Sequence, residues 1–113
     1  MIKIYHNNSC SKSNCALTIL EESGKKFEVV NYLETPPTAD ELIDIINKLG
    51  IKAHHLIRKN EAVYIEKYSG KELSDREWVM VMVEHPILIE RPILVSGARA
   101  VIARSTEKIY DIL

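Results

Sequence analysis

The sequence predicts an α/β fold, a mixed sheet of about four strands with a helical insert between the second and third. Three observations predict it. Before Thr35 a short apolar run, a helical pattern and a β-branched run follow one another, and a β-α-β start of this size favours parallel strands with a right-handed crossover. After Thr35-Pro36-Pro37 the pattern turns helical as far as Pro86. Then "RPILV" and "RAVIA" flank Ser96-Gly97-Ala98, a hairpin-sized connection between two more strands.

The elements follow in order. "IKIY" reads as the opening strand and "NNSCSK" as a loop rich in capping residues. "SNCALTILEESG" is a helix with Cys15, Leu17 or Ala16, Ile19 and Leu20 at helical spacing and Gly24 as its stop. "KFEVVNYL" is the second strand. "TADELIDIINKLG" carries Thr38 as N-cap and Glu41 three residues on, the capping-box pattern. Its apolar stripe is Leu42, Ile45, Ile46 and Leu49, and Gly50 ends it. "KAHHLIRKNEAVYIEKY" predicts one or two short helical turns, and "SDREWVMVMVEHP" a helix capped by Ser74 with Glu77 and closed by Pro86. In it, Trp78 to Val83 read as core packing. "STEKIYDIL" is a capped terminal helix. The whole of 1–113 is expected to be one domain, with the insert at about 36–86.

At 113 residues the chain can bury a core without staples, and 46% hydrophobic with 27% charged residues is ordinary for a globular protein. A net charge of −1 gives no general case for nucleic acid or an anionic membrane. No apolar run approaches a membrane span, and "MIKIYHNN" reads as neither a signal nor a transit peptide. The expected location is cytoplasmic, where two cysteines are thiols before they are a structural disulfide. Nothing requires more than a monomer.

"YHNNSCSKSNCAL" concentrates the chemistry. Its loop leaves the first strand and enters a helix, where unpaired N–H groups and the macrodipole favour an anion. Cys10 at that start is expected to ionise more readily than a free thiol. Lys12 adds charge, and Ser11 and Ser13 can donate hydrogen bonds. A bridge from Cys10 to Cys15 is disfavoured: five helical residues separate Cα atoms by roughly 8–9 Å on different faces, beyond the ~7 Å that a disulfide spans. No zinc set accompanies these two cysteines, so no metal is expected. Cys15 is expected to pack on the helix face. His6 could either stabilise the thiolate or hold the loop. Arg58, Arg91 and Arg104 supply forked donors suited to tetrahedral oxyanions.

"YHNNSCSKSNCALTILEE", "LIRKNEAVY" and "HPILIERPILV" together resemble the arsenate reductases of the glutaredoxin-coupled type. The resemblance covers essentially the whole chain and implies a thioredoxin-like fold with a helical insert. By position, Cys10 resembles the nucleophile. Arg58, Arg91 and Arg104 resemble the arginines that hold the oxyanion, Asn8, Ser11, Lys12 and Ser13 fall in the anion loop, and His6 matches the preceding histidine. Pro92 resembles the cis-proline beside the active cysteine. The implied reaction arsenylates Cys10, and glutathione, as co-substrate, then leaves a mixed disulfide that glutaredoxin resolves. No bound cofactor is implied. Asn14 departs from the pattern, standing where many members carry an arginine. Two other functions on the same scaffold are a Spx-type redox-sensitive regulator, whose usual CxxC Ser13 interrupts, and a glutathione-linked thiol oxidoreductase with another substrate.

Overall fold

The computed structural model describes residues 1–113, the side chain of residue 106 excepted. Its elements are β1 (Ile2–His6), α1 (Ser11–Ser23), β2 (Phe27–Asn31), α2 (Ala39–Leu49), α3 (Ala62–Lys67), α4 (Asp75–Glu84), β3 (Ile93–Ser96), β4 (Arg99–Ile102) and α5 (Thr106–Ile112). Two 3-10 turns, Ala53–Leu56 and Pro86–Leu88, complete the order. Apart from the 3-10 turn at Pro86–Leu88, the expected sequence of elements is the observed one. The chain divides into two compact units, Met1–Thr35 with Arg91–Leu113, and Pro36–Glu90.

The first unit is built on a four-stranded sheet in the order β2-β1-β3-β4. β1 and β2 are parallel, as the intervening helix allows, while β1–β3 and β3–β4 are antiparallel. Alternation along β1 and β3 puts Ile2, Ile4 and Leu94 on one face, packed with Ala16 and Leu20 of α1 and Ile109 and Ile112 of α5. Each fully buried aliphatic side chain there contributes about 1.5–3 kcal/mol. The register pairs Tyr5 with Ile93 and His6 with Asn31. Three connections therefore meet at one end of the sheet: the loop after β1, the turn after β2 that begins at Tyr32, and Arg91-Pro92 before β3.

Gly97 takes φ 60° in the turn between β3 and β4, a left-handed conformation that glycine adopts at little cost. The terminal helix α5 has Ser105 at its N-cap position without the side-chain hydrogen bond expected of a capping serine.

The second unit is helical. α2 begins with the expected capping box, in which Thr38 Oγ1 accepts from Glu41 N at 3.2 Å and Glu41 Oε1 accepts from Thr38 N at 3.0 Å. Ser74 and Glu77 repeat it at α4. Leu42, Ile45 and Ile46 are buried as the stripe predicts. The Trp78 ring stacks at 5.0 Å on His54 and at 6.1 Å on Tyr64. Within α4, Trp78, Val79, Val81 and Met82 are buried, but Met80 is 49% exposed, because a helix cannot bury six consecutive side chains against one neighbour. The unit runs past the expected end at about residue 86. Arg58 N donates to Leu88 O at 2.7 Å and Glu90 N to Leu56 O at 2.8 Å, tying the second 3-10 turn to the first. Among the described residues no helix is long and apolar enough to cross a membrane.

Candidate active site

The loop after β1 turns tightly because Asn7 organises it twice. Its carbonyl accepts from Cys10 N at 3.0 Å, and its side-chain Oδ1 accepts from Ser9 N at 2.9 Å, an Asx turn. Cys10 is left in extended conformation at the N-cap of α1, where its carbonyl accepts from Asn14 N at 3.0 Å. The helix thus begins at Ser11, earlier than the apolar pattern alone suggests. Asn14 is part of the same arrangement: its Nδ2 donates to Asn8 O at 2.9 Å. The residue that departs from the expected arginine is used here to hold the loop.

Ser13 anchors the loop from below. It is fully buried, its Oγ accepts from Asn7 N at 3.1 Å, and it pairs with His6 Nδ1 at 3.0 Å. His6 is likewise buried, so its observed work is to hold the loop through Ser13. The Ser13 hydroxyl faces inward, and this residue meets the reactive sulfur through its backbone N–H instead.

The half-buried Cys10 thiol is held below its ordinary pKa. Burial, the strongest single influence, raises it. That is outweighed by the Ser13 N–H, the Arg91 side chain and the Lys12 N–H acting together, with the Arg91 charge adding to them. This is the helix-start effect that the sequence leads one to expect, strengthened by an arginine. Arg91 responds in kind. Burial works against its charge, but Cys10 and Tyr32 more than restore it, and its pKa rises above the ordinary value. The bond that carries Arg91 past Pro92 is the expected cis peptide.

Arg104 and Lys12 line a groove of about 220 Å³ with Ser11, Cys15, Ala103 and Ser105. Cys15 is exposed there, contrary to the packing role expected of it. The buried face of α1 is Ser13, Ala16 and Leu20, spaced i, i+3 and i+7, and Cys15 lies off that line. Both cysteines are free thiols. A larger concavity of about 500 Å³ runs along α4, among Leu73, Glu77, Met80 and Glu84, and holds none of the expected site residues.

Arg58 belongs to the second unit. There its Nε is buried and pairs with Glu61 Oε1 at 3.3 Å. Glu61 is half-buried and holds that arginine. Sequence reasoning also passed over Asn7 and Tyr32. The doubled asparagine before a serine was the available signal for the Asx turn, whereas no local signal marks Tyr32, which meets Arg91 only through strand register. Among the described residues, no three or more histidine, cysteine or acidic side chains cluster as metal ligands.

A family model described as ArsC family matches residues 5–112. The arsenate reductase of Neisseria meningitidis serogroup A is 42% identical over 114 aligned positions, covering 99% of this chain and 97% of that protein. An Escherichia coli arsenate reductase is 39% identical across 99% of this chain and 80% of its own length. Among solved structures, the arsenate reductase from Vibrio cholerae superposes with a TM-score of 0.94 at 40% identity, over 99% of this chain and 97% of that one.

Proposed function

The chain belongs to the ArsC family, and on that premise we propose that it reduces arsenate, with Cys10 as nucleophile and glutathione and glutaredoxin as the source of electrons. The observation that carries the reading is the Cys10 sulfur at the start of α1, under the Ser13 and Lys12 N–H groups and against Arg91. A thiol whose ionisation is eased inside an anion-favouring loop suits attack on an oxyanion. Names of relatives support the substrate.

In the first step the Cys10 thiolate forms a sulfur–arsenic bond, and one arsenic–oxygen bond breaks as that oxygen leaves, protonated, as water. Arg91 and the loop N–H groups neutralise charge on the remaining oxygens. The thiol of glutathione then attacks the Cys10 sulfur. The electron pair of the sulfur–arsenic bond passes to arsenic, which falls from the pentavalent to the trivalent state, and Cys10 and glutathione become a mixed disulfide. A glutaredoxin thiol takes the glutathionyl group and returns Cys10 to the thiolate. An external reductant suits this chain because Cys15 is exposed and unbridged, five positions along the helix from Cys10. The resemblance assigns oxyanion contacts to Arg58 and Arg104 as well, and alanine at each tests that assignment.

The test is arsenate-dependent NADPH oxidation coupled through glutathione reductase and glutaredoxin. Turnover that requires arsenate and vanishes in Cys10→Ser supports the proposal. Arsenate-independent turnover, or activity surviving the substitution, overturns it. Arsenate turnover with thioredoxin but not with glutaredoxin would retain the reductase and discard the glutathione route.

A further inference from the structure

The turn that follows β2 places Tyr32 at the same end of the sheet as the cysteine loop, because His6 is in register with Asn31. Arg91 reaches that end from β3, whose Ile93 pairs with Tyr5. Tyr32 is completely buried, ring and hydroxyl alike. A phenol is rarely sunk so far unless its oxygen has a polar group to meet. Here the group is the Arg91 guanidinium, whose Nε and Nη1 are also out of solvent. The same guanidinium touches the Cys10 sulfur.

We propose that Tyr32 is a positioning residue for the reactive thiol, its buried hydroxyl holding the Arg91 fork in the orientation that meets Cys10. An arginine presents five N–H donors in a rigid plane. A phenol oxygen that accepts from one edge of the plane leaves the other edge facing the sulfur and any oxyanion bound beside it. Without that hold, the guanidinium keeps its charge but samples other rotamers, and its contact with the sulfur is diluted. In this role Tyr32 acts through Arg91 and does no chemistry of its own. The inference concerns the thiol itself and stands whether or not arsenate is the substrate.

The experiment measures the pH dependence of Cys10 alkylation by iodoacetamide in a Cys15→Ser background, where one thiol remains. His6, Lys12 and Arg104, the other ionisable groups of this loop and its groove, are the same in every variant compared. Tyr32→Phe keeps the ring and removes the oxygen. Its alkylation midpoint should move to higher pH, slowing alkylation at neutral pH by about threefold to tenfold. Added to Arg91→Ala, Tyr32→Phe should move the midpoint no further. A profile that superimposes on the parent overturns the proposal, and so does an equal shift with and without Arg91. A merely structural tyrosine would lower thermal stability without this dependence on Arg91. Should Tyr32→Phe fail to fold, the otherwise unaltered chain carrying Cys10→Ser supplies a second reading by NMR. With the sulfur gone, the Arg91 Nη protons should still give separate signals from hindered rotation, and a single averaged signal refutes the hold.

Discussion

Replacing Ser13 with alanine tests whether one buried hydroxyl holds the cysteine loop. Ser13 Oγ is the observed partner of both Asn7 N, at 3.1 Å, and His6 Nδ1, at 3.0 Å. Ser13, His6 and Asn7 are 0%, 2% and 5% exposed, so water does not reach either group to replace it. A buried polar group left unsatisfied costs about 1–3 kcal/mol, and the substitution orphans two. Rotation of the imidazole relieves part of that, which places the loss at about 2–4 kcal/mol. On a total of roughly 5–15 kcal/mol this is a large fraction. At about 4 °C per kcal/mol for a chain of this size, the thermal midpoint should fall by about 8–16 °C. Urea denaturation followed by circular dichroism gives the loss directly. Ser11→Ala, at an exposed position of the same helix start, should stay within about 0.5 kcal/mol of wild type. If the two alanine variants unfold at the same urea concentration, the hydroxyl does not hold the loop and the reasoning is wrong.

Arg91→Ala removes a charge-assisted contact worth about 1.5–3 kcal/mol, so arsenate turnover should drop by about tenfold to a hundredfold. Lys12→Ala, which removes a point charge but keeps the backbone N–H, should cost less than about threefold; equal losses would mean that diffuse charge suffices. The lowered pKa of Cys10 makes its ionisation a source of stability that is fully present above the ordinary thiol value of 9.0 and lost as pH falls through the lowered one. The difference in thermal midpoint between wild type and Cys10→Ser should therefore widen as pH rises through that window, and a constant difference would contradict the helix-start account. Thr38→Ala and Ser74→Ala each dissolve a capping box and should each cost about 1 kcal/mol in urea titrations.

Much of this fold is legible in the sequence because its helices announce themselves chemically. Thr38 with Glu41, and Ser74 with Glu77, mark helix starts that the structure reproduces atom for atom. Gly50 marks an end, with φ 68°. The reactive end is legible only in part. Cys10 and its helix are a local pattern, and Arg91 with its cis-proline is recognisable by resemblance. The buried face of α1 misleads because a serine occupies it: Ser13 is tolerated there since two polar partners satisfy its hydroxyl, and Cys15 is displaced into solvent as a result. The pairing of Tyr32 with Arg91 depends on how β2 and β3 each align with β1, which no short stretch of sequence encodes. Glu61 shows the same limit on a smaller scale, since only the chain's turn after Arg58 brings its carboxylate within 3.3 Å of that guanidinium.

In the proposed reaction Cys10 is the nucleophile and passes through a mixed disulfide. The most direct measurement is intact-protein mass, followed by peptide mapping, after the wild-type chain is mixed with arsenate and glutathione without glutaredoxin. One added glutathionyl group, dependent on arsenate and located on Cys10, is the expected result. An adduct on the exposed Cys15, or one that forms equally well without arsenate, would contradict it.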